Sequence, residues 1–161
     1  MISDSNPAFA HSFGGTDCQY HYNDTWVFDT TTNMWSELTC IGFIPSPREG
    51  HAAALVDDVV YVFGGRGVDG KDLGDLGAFK ISSKRSERAG IIRWTDVRPI
   101  DQRWYMFQKM GPAPTPRSGH AMASMGSRVF VLGGLGGESL GNPAKPEDPT
   151  IIHVLDTSGC L

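Results

Sequence analysis

An arginine and a histidine, whose side chains could bind a ligand or catalyse a reaction, occur together twice in this chain at the same spacing. Arg48 and His51 bound the segment Arg-Glu-Gly-His, and Arg117 and His120 bound Arg-Ser-Gly-His. A guanidinium binds carboxylates and phosphates, and an imidazole transfers protons near neutral pH, so each pair could form a binding or acid–base site. A catalytic residue usually occurs once, however, whereas a residue that the scaffold needs is repeated. We therefore predict structural roles, with the arginines bonded to loop carbonyls and the histidines hydrogen-bonded at strand starts.

The other candidates for chemistry match known sites poorly. Asp57 and Asp58 follow a short apolar run, as the residues of a hairpin turn do. The glycine-rich stretches at residues 64–70 and 133–137 lack the Lys-Ser/Thr of a phosphate-binding loop. Three further histidines show no zinc-type spacing: His11, His21 and His153. The sequence thus predicts no catalytic residue, no cofactor site and no metal site.

Both Arg-x-Gly-His segments end a longer repeated segment. WSELTCIGFIPSPREGH occupies residues 35–51, and WYMFQKMGPAPTPRSGH occupies residues 104–120, 69 positions further along. The two copies share a tryptophan at the start and two prolines before the arginine. A fixed-spacing repeat is typical of proteins that stack copies of one supersecondary unit. The elements of that unit must therefore be identified before any single residue is interpreted.

Each copy of the repeat contains a predicted β-hairpin. The apolar runs HAAALV (residues 51–56) and VVYVF (residues 59–63) flank Asp57-Asp58, and residues 120–132 repeat this pattern around Gly126-Ser127. Branched and aromatic residues favour strands, and the polar pair favours the turn. Because VVYVF and the later VFVL are continuously apolar, we expect these strands to be buried on both faces.

Paired glycines follow the second strand of the unit in three places. Such pairs permit positive φ and the close approach of another backbone, as a crowded junction requires. A third strand is expected at residues 25–30, 77–82 and 152–157. The fourth strand begins at Trp35 in one copy and at Trp104 in the next. The unit is therefore a four-stranded antiparallel meander of about 50 residues.

These features resemble the kelch repeat, in which an apolar strand ends in Gly-Gly and a tryptophan heads the fourth strand. The resemblance implies an all-β fold, an arc of a kelch-type β-propeller with about three incomplete four-stranded blades. Among kelch proteins, GAFKIS and RWYMFQKMGPAPTPRSGH look most like fungal cell-polarity proteins of the cell-end-marker, or tip-elongation, type. The structural repeat signature consists of Gly14, Gly15, Trp35, Arg48, His51, Gly64, Gly65, Trp104, Arg117, His120, Gly133 and Gly134.

We expect three repeats of differing completeness. Residues 1–47 form a partial first repeat, residues 48–116 a second, and residues 117–161 a partial third. The first copy is expected to lack its first strand, and the third to stop before its tryptophan and fourth strand. Unpaired strand edges and exposed apolar blade faces favour association with other chains. We therefore predict that the chain is poorly soluble or self-associates through them.

The second repeat carries an insertion at about residues 85–102, where RSERAGIIRWTDVRPIDQ separates two strands that a short turn would join. A functional loop, a plain surface loop and a translated intron are the three open interpretations. The intron is slightly favoured because the segment interrupts a turn and adds no strand. Sequencing the spliced transcript distinguishes the intron from the two loops.

Bulk properties exclude several function classes. A net charge of −4 and a pI near 5.6 argue against nucleic-acid binding. No apolar run approaches the about 20 residues of a membrane span, which argues against membrane insertion. The first residues show neither the cationic start nor the apolar core of a secretion signal. We therefore expect a cytoplasmic protein with free thiols.

The resemblance implies a non-catalytic protein–protein interaction module in cell polarity, at the cell cortex or cell tip, with a protein partner of unknown identity and no cofactor. Loops that follow Gly-Gly emerge on one face of adjacent blades, so partner contacts are expected there. The candidates are Arg66, Asp69, Lys71, Asp72, Glu138 and Lys145. Two alternatives are open: the scaffold of a galactose-oxidase-like enzyme, which needs copper ligands, and the substrate-recognition propeller of a ubiquitin-ligase adaptor.

Overall fold

The computed structural model describes residues 2–3, 9–81, 102–107, 111, 113–136 and 151–159. Within these ranges every regular element is a strand, which confirms the all-β prediction. The strands are β1 (Ile2–Ser3), β2 (Phe9–Thr16), β3 (His21–Asp29), β4 (Met34–Glu37), β5 (Ile41–Gly42), β6 (Arg48–Glu49), β7 (Ala52–Val56), β8 (Val59–Phe63), β9 (Arg66–Gly67), β10 (Leu76–Lys80), β11 (Arg103–Phe107), β12 (Ala121–Met125), β13 (Arg128–Leu132) and β14 (Ile152–Asp156).

The strands form three successive blades of antiparallel meander. The first blade has the order β1-β2-β3-β4, the second has β7-β8-β10-β11 with β5 added parallel to β11, and the third has β12-β13-β14. A separate two-stranded ribbon pairs β6 with β9. Sequential strands are thus neighbours within each blade, as the repeat predicted. The described blades match the arc of about three incomplete four-stranded blades that the repeat predicts.

The β7–β8 hairpin lies where the sequence predicts it. Val56 pairs with Val59, and Asp57 in the turn has a φ of 54°, which a short polar side chain tolerates. In the third blade Met125 pairs with Arg128 around Gly126, whose φ is 58°. The equivalent turns therefore have equivalent backbone conformations.

The expectation that the first copy lacks its first strand is wrong. β1 pairs antiparallel with β2, with Ile2 opposite His11 and Ser3 opposite Ala10. Strands of two residues leave no apolar run or alternation in the sequence, so pattern analysis cannot find them. The same reason accounts for β5, β6 and β9, which the sequence analysis did not predict.

The core consists of two apolar layers on opposite faces of the second blade. β8 is buried along its whole length, which confirms the prediction for VVYVF. Val60 and Val62 face the first blade and pack with Phe79, Ile81 and Trp104. The opposite layer faces the third blade and contains Ala54, Val56, Val59, Tyr61, Ala78 and Val129. Blade-on-blade packing, rather than any single sheet, therefore forms the core.

Burial on both faces is wrong for β13. Val129 and Val131 are buried against the second blade, whereas Phe130 and Leu132 on the other face are only half-buried. In β14 the residues of that same face, Ile152 and Val154, are more than half exposed, at 51% and 54%. A continuously apolar strand is buried on both faces only where a blade covers each face. Among the described residues, a blade covers only one face of β13, the face toward the second blade.

The insertion predicted at residues 85–102 lies outside the described residues, except for Gln102. The strands on either side of it pair directly, with Lys80 opposite Arg103 and Phe79 opposite Trp104. The fourth strand thus joins the blade in the register that an uninterrupted hairpin would give. Among the described residues, no helix has the length and apolar character needed to cross a membrane.

Candidate functional site

Arg48 is the centre of a buried polar cluster between the first and second blades. Its side chain is 1% exposed, and each of its five N–H groups donates a hydrogen bond. Nη1 and Nη2 bind the two carboxylate oxygens of Asp75 at 2.8 and 2.7 Å. The remaining bonds go to the carbonyls of Gly64 and Ser46 and to the Ser46 hydroxyl. No donor is left for a ligand.

Arg117 repeats most of this geometry in the third blade. Its Nε and Nη2 donate to the carbonyl and hydroxyl of Thr115, at 3.1 Å each, and Nη1 donates to the Gly133 carbonyl at 2.8 Å. Where Arg48 meets Asp75, Arg117 Nη2 lies 3.3 Å from Nε2 of His153. Each arginine therefore bonds its connector, the Arg-x-Gly-His segment that leads into a blade, to the glycine pair of that same blade.

Glycine pairs are required where connectors approach them. A Cβ on Gly65 would lie 2.7 Å from the Glu49 carbonyl oxygen, and one on Gly134 would lie 2.7 Å from the His120 Cβ. The first glycine of a pair instead meets the next blade, since a Cβ on Gly64 would lie 2.5 Å from the Arg117 carbonyl oxygen. The Gly65 N–H donates to that same carbonyl at 2.8 Å. The signature residues thus join successive blades.

The signature histidines pack against aromatic rings of the preceding blade. The His51 ring meets Phe13 edge-on at 5.4 Å, and the His120 ring meets Phe63 edge-on at 5.5 Å. Burial, and then the nearby Arg48 charge, lower the pKa of His51 to about 4. Burial also lowers the pKa of His11 to about 4. These rings are uncharged at neutral pH and belong to the core.

The loop that follows Gly64-Gly65 is a short hairpin with internal charge pairing. β9 pairs with β6, Gly67 N–H donates to the Lys71 carbonyl at 2.9 Å, and Lys71 Nζ lies 3.2 Å from Asp69 Oδ2. Arg66 Nε lies 3.4 Å from Asp72, whose side chain is 3% exposed. Of the charged candidates, Arg66, Asp69 and Lys71 are therefore accessible, and Asp72 is not. Glu138 and Lys145 lie outside the described residues.

A second loop on the same face was missed by the sequence analysis. The turn after Gly14-Gly15 exposes Tyr20 (66%) and Tyr22 (40%), and the Tyr22 hydroxyl donates to Asp17 at 2.8 Å. His21 Nε2 lies 3.4 Å from Glu49, and Glu49 pairs with Arg66, so this turn adjoins the hairpin. Its position after a glycine pair, equivalent to that of Arg66, is the signal that could have revealed it.

Comparison with known proteins agrees with the repeat seen in the structure. Residues 8–134, which make up most of the chain, match the family model of the KLHDC2/KLHL20/DRC7 Kelch-repeats domain. The chain belongs to the kelch-repeat family. Kelch repeats are typically non-catalytic interaction modules. Among the described residues, no three His, Cys, Asp or Glu side chains cluster in a way that could hold a metal ion.

Several relatives are longer than this chain. Acyl-CoA-binding domain-containing protein 4 of Arabidopsis thaliana is 34% identical over 124 residues, covering 76% of this chain and 16% of the relative. The Rab9 effector protein with kelch motifs of Bos taurus is 30% identical, covering 86% of this chain and 33% of the relative. Tip elongation aberrant protein 1 of Schizosaccharomyces pombe is 34% identical, covering 70% of this chain and 8% of the relative. The chain spans a third or less of these proteins.

A matched glycine pair tests the kelch junction. Gly64 and Gly133 have nearly the same φ, 64° and 65°, but a Cβ meets backbone and the His120 ring at Gly64, whereas at Gly133 it meets none of the described residues within 4 Å. Gly133→Ala should lose about 1–2 kcal/mol from left-handed strain alone, whereas Gly64→Ala should lose several kcal/mol more because the connector must move. Urea unfolding measures both; equal losses would show that the close approach does not matter.

The buried histidines predict a loss of stability in mild acid. Because His11 and His51 titrate at about 4 when folded and at about 6.5 when unfolded, only the unfolded chain gains these protons as pH falls between those values. The free energy of unfolding should therefore keep its neutral-pH value above pH 6.5 and decrease by roughly 1–2 kcal/mol per histidine by pH 5. His51→Gln should flatten this pH dependence in urea titrations, and an unchanged slope would contradict the assignment.

Proposed function

We propose that the chain is a non-catalytic protein–protein interaction module that binds its partner on the loop face, defined as residues 16–22 and 66–72. One observation carries this proposal: accessible tyrosines and a valine lie beside accessible charges on that face. Tyr20 is 66% and Val68 72% exposed, next to Arg66 and Lys71. Protein interfaces are enriched in tyrosine and arginine and combine an apolar centre with a polar rim. The signature arginines Arg48 and Arg117, in contrast, donate hydrogen bonds to loop groups within the blades.

We further propose that this binding serves cell polarity at the cytoplasmic cortex, at growing cell tips. The support is the likeness to Tip elongation aberrant protein 1, whose name refers to tip elongation. A fluorescently tagged chain should concentrate at the tips of growing fission-yeast cells. Uniform fluorescence in cells that polarise normally would remove the polarity assignment while leaving the interaction module intact.

Paired variants on the loop face and at the opposite end of the second blade test the proposal. Tyr20→Ala combined with Lys71→Ala should weaken binding of an identified partner at least about tenfold, since interface tyrosines are frequent hot spots. Asp58→Ala with Lys80→Ala is the control, because this ion pair of 2.8 Å lies at the opposite end of β8 and β10. Equal losses from the two double variants, with both folded, would refute the loop face as the binding surface.

Self-association through open blade faces is a separate proposal. The outer face of the third blade exposes Val154 and Met125, and the outer face of the first exposes Trp35. Within the chain, equivalent faces of successive blades bury each other, so the first blade of a second copy has the shape to cover the third. Sedimentation should show concentration-dependent association that Val154→Lys weakens; a monomer at all concentrations would contradict it.

A further inference from the structure

Two Ser/Thr-Pro pairs occur in the sequence, and each stands directly before a signature arginine. Ser46-Pro47 precedes Arg48, and Thr115-Pro116 precedes Arg117. The serine and the threonine are exposed, although both arginines are buried. In each copy the arginine Nη2 donates to the hydroxyl oxygen at 3.1 Å. The repeat therefore presents an exposed hydroxyl in contact with a buried cation.

The linker around Ser46, between the first and second blades, is held in place on both sides of the serine. Pro45 is fully buried, and its carbonyl accepts a hydrogen bond from Asn23 Nδ2 at 3.2 Å. Pro47 is half-buried. Because a proline disfavours helical backbone in the residue before it, Pro47 restricts Ser46 to an extended conformation. Protein kinases bind their acceptor segment in extended form, and one class of them requires proline directly after the acceptor residue.

Ser46 and Asp75 share one nitrogen of Arg48. Its Nη2 donates to Ser46 Oγ at 3.1 Å and to Asp75 Oδ2 at 2.7 Å. The other N–H groups donate to Asp75 Oδ1 and to the carbonyls of Gly64 and Ser46. All five N–H groups are thus engaged. A further anion on Ser46 Oγ can gain a hydrogen bond from this guanidinium only by taking it from a group that holds one now.

Asp75 is the acceptor that can leave most easily. Its side chain is 28% exposed, so its carboxylate can turn to water, whereas the carbonyls of Gly64 and Ser46 are fixed by the backbone. A phosphate carries a charge of about −1.5 to −2 at neutral pH, and beside an aspartate it acts by repulsion. The Asp75 carbonyl also accepts a bond from Gly64 N–H at 3.3 Å, so movement of Asp75 loosens the start of β10.

We propose that Ser46 is a phosphorylation site for a proline-directed protein kinase, and that its phosphate displaces Asp75 from Arg48. Ser46 Oγ attacks the γ-phosphorus of a magnesium-bound nucleoside triphosphate, and the bond to the departing nucleoside diphosphate breaks. The hydroxyl proton passes to the catalytic carboxylate of the kinase. Since Oγ accepts the bond from Arg48, its own proton remains available for this transfer. The site lies outside the loop face, so it can fail without affecting the proposed function.

Incubation of the folded whole chain with ATP and an active mitogen-activated protein kinase tests the modification. Mass spectrometry should map a phosphate to Ser46, and Ser46→Ala should lose it. Pro47→Ala keeps the hydroxyl but removes the proline that the kinase reads, so it should lose the phosphate as well. The absence of phosphate on Ser46, its appearance only after unfolding in urea, or its persistence in Pro47→Ala would overturn the proposal.

Urea unfolding of the chain phosphorylated on Ser46, purified by ion exchange, tests the displacement of Asp75. The midpoint should fall by about 0.5–1 M, because the phosphate adds negative charge beside a carboxylate and brings no new donor. Phosphatase treatment should restore the midpoint. The shift should also shrink as sodium chloride is raised, since salt screens repulsion between partly exposed charges. An unchanged or raised midpoint, or a shift that does not depend on salt, would overturn the displacement.

Asp75→Asn determines whether the carboxylate causes the shift. The amide oxygen still accepts a hydrogen bond from Arg48 but carries no charge, so phosphorylation should no longer lower the urea midpoint. Asp58→Asn is the matched control, because Asp58 pairs with Lys80 at the opposite end of the second blade. In that variant the phosphate should lower the midpoint as much as in the wild-type chain. Equal effects of the phosphate in the two variants would refute the competition for Arg48.

Discussion

An Arg48→Ala variant is expected to unfold at a much lower urea concentration than the wild-type chain. The guanidinium is 1% exposed and forms a two-pronged ion pair with Asp75, whose side chain is 28% exposed. Removing the arginine leaves that carboxylate and the carbonyls of Gly64 and Ser46 without their donors. Breaking a buried ion pair on one side costs about 3–5 kcal/mol, and the partial exposure of Asp75 puts the expected loss at the lower end.

The third blade provides the comparison for this loss. Arg117→Ala removes the equivalent bonds to Thr115 and Gly133, so it should also lower the free energy of unfolding, by at least about 1–3 kcal/mol for the carbonyls that lose their donor. An Arg48→Ala and Asp75→Ala double variant should recover part of the loss, since the orphaned charge is removed as well. Losses that simply add across this double-mutant cycle would show that the ion pair is not the cause.

The contrast between Arg48 and Arg117 shows what could be predicted from the sequence. Recurrence of the arginine predicts a shared structural role, and its bonds to loop carbonyls follow from its inventory of donors. Asp75 was not predicted, although the first blade has Asp24 at the same position, since Thr25 pairs with Phe13 as Leu76 pairs with Phe63. In the third blade the counterpart of Asp75 is Ile151, as the equivalent bonds from Gly64 N–H to the Asp75 carbonyl and from Gly133 N–H to the Ile151 carbonyl establish. A repeat reveals what its copies share and conceals what differs.

Burial was predictable for β8 but not for β13, for a related reason. Hydrophobic pattern reports what a strand can bury, whereas actual burial depends on which blades lie beside it. The turn with Tyr20 and Tyr22 could have been found from its position after Gly14-Gly15, but the exposure of the two side chains could not.

The two signature tryptophans should respond very differently to removal. Trp104 is buried between blades, with rings of Phe13 and Phe79 at 4.7 and 5.3 Å and a hydrogen bond to Thr25. Trp104→Ala should cost about 3–5 kcal/mol, as large-to-small changes at buried aromatic positions do. Trp35 is 45% exposed and meets the Phe28 ring at 5.0 Å, so Trp35→Ala should cost less than about 1 kcal/mol. Urea unfolding followed by far-ultraviolet circular dichroism measures both without relying on tryptophan fluorescence.

Protein concentration distinguishes the two environments further. The neighbour of Trp104 is a blade of its own chain, so the cost of Trp104→Ala should not depend on concentration. If a second copy covers the outer face of the first blade, Trp35 becomes buried in the associated species, and the cost of Trp35→Ala should rise with concentration. Equal costs at low concentration would contradict the exposure of Trp35. A concentration-independent small cost would instead show that this face, although apolar and equivalent to one that is buried elsewhere in the chain, is not the surface through which copies associate.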